Sequence, residues 1–267
     1  MNQDKSQQHV ESLANLIINL FYQETNLKPI DVKIEFINDL YQRRLELSNN
    51  QKEKNNLELG KEFIQGLNGT MVLPTDVNGT PHILISNSKI DDSGAFLGTI
   101  IHELTHIHDF HDFVKHVNYN SFFDAETHKD FPLIYQWSEY HARRTGYFFY
   151  RKAAYLIIDD ISTEEQLEHI KGYECSFQLE ILRNQLNKYE NNATLFIYSI
   201  MQFLGRFSVW QDLFPNYINV NLFPRELLLT FGERITNLYE FLYNNKTFND
   251  VKNKFSDLDI LLKQFIK

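Results

Sequence analysis

Apolar residues recur at helical spacing over residues 8–24, where Val10, Leu13, Leu16, Ile17, Leu20 and Phe21 share one side. After Pro29 the period shortens. Val32, Ile34 and Phe36 alternate with Lys33, Glu35 and Ile37, which is a strand pattern. Residues 38–47 read as a short helix, the polar stretch 48–56 as a loop, and 57–67 as helix again. Asn68-Gly69 and Asn78-Gly79 are turn dipeptides, and the runs 70–73 and 82–86 beside them read as paired strands. The run 82–86 is expected at the sheet edge, where an extended substrate could pair. Helical spacing returns over 94–110, with Asp91, Asp92 or Ser93 as cap and Leu97, Ile100, Ile101, Leu104, Ile107 and Phe110 as a broad apolar face. Asp130-Phe131-Pro132 opens another helix, with the acid as cap. Beyond about residue 155 the pattern is wholly helical. Ser162-Thr163-Glu164-Glu165 is a capping box opening a helix to about Glu190. Further helices are expected over 194–211, 224–244 and 247–265, with Pro224 and Thr247 at two of the starts.

This order predicts an α+β fold. Residues 1–155 form a domain with a small mixed sheet and a central helix, and residues 156–267 form an all-helical domain. A chain of 267 residues with 43% hydrophobic content can bury one large core or two modest ones. The net charge of −9 argues against gripping nucleic acid through a basic surface. Cys175 is the only cysteine, so no internal disulfide forms, which fits a reducing compartment. Its helical surroundings predict a buried, unreactive thiol, and those of Tyr173, Phe177, Leu179 and Leu182 predict core positions. The polar first residues do not read as a signal peptide, and the uncharged run 191–205 is too short and polar to span a bilayer. A cytoplasmic location is expected.

One segment carries chemistry. His102-Glu103-Leu104-Thr105-His106 puts two imidazoles four residues apart, just over one helical turn, so both leave the same face and can share one zinc ion. Glu103 lies about 100° around the helix, within reach of a metal-bound water but not of the ion. Residue frequencies give roughly 0.03 chance occurrences of this pattern in such a chain. Ala95, Gly98 and Thr99 keep the histidine side small, leaving room for neighbouring elements.

A catalytic zinc needs a third protein ligand. His108 and His111 rotate away from the metal face and read as capping or solvated residues. Asp109 and Asp112 stand where a metzincin needs glycine and histidine. Asp109 itself lies near the metal face, either as an acceptor orienting an imidazole or as an exposed acid at the helix end. The preferred third ligand is Glu139, which shares a helix face with Ala142, Arg143 and Gly146. The alternative for Glu139 is a surface pair with Arg143. His141, Arg143 and Tyr147 are candidate donors to a developing oxyanion.

His102-Glu103-Leu104-x-His106, followed 33 residues later by Glu139 in Glu139-x-x-Ala142-Arg143, resembles the gluzincin zinc metallopeptidases. Within that group, the chain is similar to the ImmA/IrrE-type enzymes of bacteria and phages, although Thr105 stands where that family usually carries glycine. The resemblance covers about residues 80–150. It implies a zincin-like catalytic domain, one zinc ion on His102, His106 and Glu139, and Glu103 as general base. It also implies a protein or peptide substrate, often a regulator. The alternative from another class is a zincin-fold regulatory or binding protein with little or no catalysis, its C-terminal helices docking a partner.

Overall fold

The computed structural model describes residues 2–48, 51–90, 93–157, 163–220, 223 and 225–266. It is α+β: helix dominates, with one three-stranded mixed sheet. The chain divides into two compact units, Met1–His128 and Lys129–Lys267. Residue 155, where the sequence places a boundary, falls in the last turn of a helix spanning Phe131–Ile157.

The first unit opens with α1 (Asn2–Thr25), which ends at Asn26 in a left-handed conformation. Its buried face is narrower than the apolar pattern predicts. Ala14, Ile17 and Phe21 are buried, whereas Leu13, Leu16 and Leu20 are exposed. Then come β1 (Lys33–Ile37), α2 (Leu40–Leu47), α3 (Gln51–Leu59) and α4 (Lys61–Gln65). Asp39 caps α2 by accepting from the Gln42 amide. The polar stretch expected as a loop is largely helix α3. Its buried Leu57 joins Leu40, Tyr41, Ile64, Val72 and Leu84 in one cluster, and that tertiary burial outweighs the polar composition.

β2 (Gly69–Val72) and β3 (His82–Ser86) complete the sheet, in the order β1-β3-β2. β3 is parallel to β1 and antiparallel to β2. It is therefore the central strand, and the expectation that it forms the edge is overturned. The signal was present: Ile83-Leu84-Ile85 is an unbroken apolar run, as a strand covered on both faces requires, and all three are fully buried. The register fixes the faces. Glu35 lies opposite Leu84 on the α2 side, where Arg43 binds its carboxylate through two nitrogens. Phe36 lies opposite Ile85 on the other face, stacked on Phe96.

Phe96 belongs to α5 (Ser93–His116), which packs on β2, β3 and α1. The proposed caps Asp91 and Asp92 lie outside the described residues. α5 runs six residues beyond its expected end, through the buried Phe113 and Val114. A short α6 (Phe122–Ala125) follows, capped by Ser121. The Asn78-Gly79 turn behaves as expected, with the Asn78 amide bonded to the Asp76 carboxylate at 2.7 Å.

The second unit begins with α7 (Phe131–Ile157), whose first turn bonds back to the Asp130 carbonyl. α8 (Thr163–His169) passes through a π-helical turn, Ile170–Glu174, into α9 (Cys175–Tyr189). Ser162 of the expected capping box lies outside the described residues. The wider turn re-phases the helix. Leu179 and Leu182 are buried as expected, but Tyr173 and Phe177 are exposed. α10 (Ala193–Leu213) is the buried centre of this unit and packs closely along α7. A Cβ on Gly205 would lie 2.8 Å from the Tyr140 carbonyl, so only glycine permits this approach. The helix expected over 224–244 is two, α11 (Arg225–Phe231) and α12 (Glu233–Asn244), broken at Gly232 with φ of 58°. Pro224 lies outside the described residues. Thr247 and Asp250 form a capping box on α13 (Phe248–Val251), and α14 (Phe255–Lys263) follows. No helix among the described residues is long and apolar enough to cross a membrane.

Candidate metal centre

α5 carries its two histidines on a stretch sealed by apolar contacts. Ile100, Ile101, Leu104 and Ile107 are fully buried, and His102 and His106 are buried with them. The two Nε2 atoms lie 3.0 Å apart, with the rings at 90°. Two nitrogens bound tetrahedrally to one zinc, each at about 2.1 Å, are about 3.4 Å apart, so this spacing fits a shared ion after a small spread. Thr105 back-bonds to the Ile101 carbonyl at 2.7 Å and takes its hydroxyl away from the metal face.

Glu103 is buried, and its Oε2 accepts from the Met71 amide of β2 at 2.8 Å. The small side of α5 makes this possible, because β2 packs there. A Cβ on Gly69 would come within 2.7 Å of both Thr99 Cγ2 and the Leu84 carbonyl oxygen. Gly69 is therefore needed for close packing, although its Asn-Gly pair reads as a turn.

Glu139 projects from the middle of α7 and is buried. Its Oε2 accepts from the Gln202 side-chain amide at 2.8 Å. Arg143, one turn along, donates through Nε to the side-chain oxygen Oε1 of Gln202. Arg143 therefore acts on Glu139 through Gln202, which the sequence reading did not single out. Nothing local marks a glutamine in the apolar helix α10; only the buried carboxylate it faces explains it.

His102, His106 and Glu139 are all buried, and one candidate donor atom from each lies within 4.8 Å of the others. They are the only such group of three among the described residues, and they could hold a metal ion. Two imidazoles and one carboxylate are a donor set suited to a divalent metal ion.

The other candidates fall elsewhere. Asp109 is buried mid-helix rather than exposed at a helix end. His108 is buried rather than capping or solvated, with its Nε2 3.2 Å from the Tyr22 hydroxyl. His111 is half-buried against Phe122, and burial draws its pKa down to about 4. His141 stacks on Trp137. The Tyr147 hydroxyl donates to Glu174, which also binds Arg151, and burial holds its pKa well up. Burial likewise pushes the Cys175 thiol up to about 12, so it is scarcely ionised at neutral pH.

Comparison of the chain with protein-family models, curated proteins and solved structures found no match in any of the three.

Proposed function

We propose that this chain is a zinc metallopeptidase of the gluzincin kind, with one ion held by His102, His106 and Glu139. The observation that carries this reading is the convergence of the three buried donors, with Glu103 beside the histidines on α5. A bound zinc ion supplies Lewis acidity for activating water and polarising a carbonyl. Glu103 takes the proton of the attacking water and returns it to the leaving amine. The Met71 amide bond orients its carboxylate for this transfer. Gln202 and Arg143 orient Glu139 and stabilise its charge. The family likeness read from the motif makes a protein the expected substrate.

The test pairs metal content with cleavage of an unbiased peptide library. The wild-type chain should carry one zinc ion and cleave, and a chelator should stop it. Glu103→Gln should keep the zinc and lose activity by at least about a thousandfold. Full activity in that variant would sink the mechanism. Stoichiometric zinc without cleavage of any peptide or protein would favour the regulatory or binding reading.

A further inference from the structure

The faces of α7 and α10 meet in a polar ladder, and its charges do not balance. Glu139, Arg143, Tyr147 and Arg151 recur every fourth residue on α7, and Gln202, Arg206 and Trp210 do so on α10. At one end Arg151 pairs with Glu174, which also accepts from Tyr147 and Trp210. At the other end Glu139 is linked through Gln202 to Arg143. Arg206 is left over. Its one hydrogen bond is long, 3.5 Å from Nη1 to the Gln202 carbonyl, and it has no carboxylate partner among the described residues. The terminal nitrogens of Arg143 also lack a partner among those residues.

Arg143 and Arg206 are both partly buried; Arg143 reaches a carboxylate, Glu139, only through Gln202, and Arg206 reaches none among the described residues. Burial first, and then the charge of Arg143, hold the Arg206 pKa down to about 9, so it stays charged at neutral pH. The Gln202 side chain bonds both Glu139 and Arg143, while its main-chain carbonyl takes the long bond from Arg206 one turn on, so the excess charge lies along the same helix faces as the proposed metal ligand. A bound metal would engage the negative charge of Glu139 and leave the excess greater.

We infer that Arg143 and Arg206 form an anion subsite that binds a carboxylate of the substrate, beside the ion held by Glu139. The guanidinium fork matches a carboxylate with two parallel hydrogen bonds, and exclusion from water strengthens both. The carboxylate comes either from an acidic side chain or from a peptide C-terminus. Its role as substrate rests on the metallopeptidase reading; the binding itself does not.

Binding of three labelled tetrapeptides to the full-length chain tests this, by fluorescence anisotropy, with chelator and with zinc added. One peptide is amidated with a single Glu, one ends in a free carboxylate without acidic side chains, and one is amidated and neutral. At least one carboxylate peptide should bind about tenfold more tightly than the neutral one, and the two acidic peptides distinguish the sources. Arg206→Gln should abolish the preference, and Arg206→Lys should keep part of it. Equal binding of all three peptides to wild-type protein would overturn the subsite, and needs no variant. An undiminished preference in a folded Arg206→Gln protein would also overturn it. Failure of the zinc site would appear separately, as absent metal or absent cleavage.

Discussion

α5 and α7 present by different means the side chains that could hold a metal ion. On α5 the two histidines are fixed by the pitch of a single helix, and the flanking Ile100, Ile101, Leu104 and Ile107 seal that helix in place. On α7 the single carboxylate is aimed by a residue of another helix, Gln202 on α10, and the register of that contact depends on the close approach at Gly205. The first arrangement survives as long as the helix does. The second needs two helices to keep their alignment, and so is the more fragile.

The sharpest way to break this comparison is Gln202→Leu. It leaves α5 untouched and frees Glu139, and zinc affinity should fall by about 10–100-fold, read by competition with a chromogenic chelator. Unchanged affinity would show that Glu139 needs no such support. The two close-packed glycines sharpen the contrast further. Gly69→Ala and Gly205→Ala should each cost about 1–2 kcal/mol in denaturant unfolding. On the proposed metallopeptidase reading they should differ in consequence: Gly69→Ala should disturb Met71 and Glu103 and lower turnover with zinc retained, whereas Gly205→Ala should disturb Gln202 and lower zinc affinity. The smallest effect lies away from both helices. Hydrogen bonding from Arg43, foremost, draws the Glu35 pKa down to about 2. A depressed carboxylate stabilises the fold above its unfolded value, near 4.5, and that contribution fades as pH falls toward 2. Arg43→Gln should thus cost about 0.5 kcal/mol at pH 7 and progressively less below pH 4, measured by urea unfolding.

What could be read from the sequence follows the range of each interaction. The His102/His106 pair, the long helices, the Asn78-Gly79 turn and the Thr247 start rest on local periodicity or local hydrogen bonds, and the chain spells these out. Strand order depends on tertiary pairing, so the sequence places β3 at the edge although its Ile83-Leu84-Ile85 run fits the centre. α3 was missed because one buried leucine among polar residues is weak periodicity. The exposure of Tyr173 and Phe177 was missed because a π turn shifts helical phase without a sequence signature. Spacing beside small residues singles out Glu139, which lies with His102 and His106, but Gln202 and Arg206 gain meaning only once α10 lies against α7.

The bond from Met71 to Glu103 has a consequence for self-association. β2 is an outer strand, and the pairing of Met71 with Ile83 alternates, along the ladder, with residues whose amides turn toward β3. Met71 instead turns its amide outward, as open strand edges do when they recruit another chain. The Glu103 carboxylate accepts from that amide. An incoming strand in that register would first have to displace the Glu103 carboxylate from the Met71 amide, which sets a cost on edge-to-edge pairing.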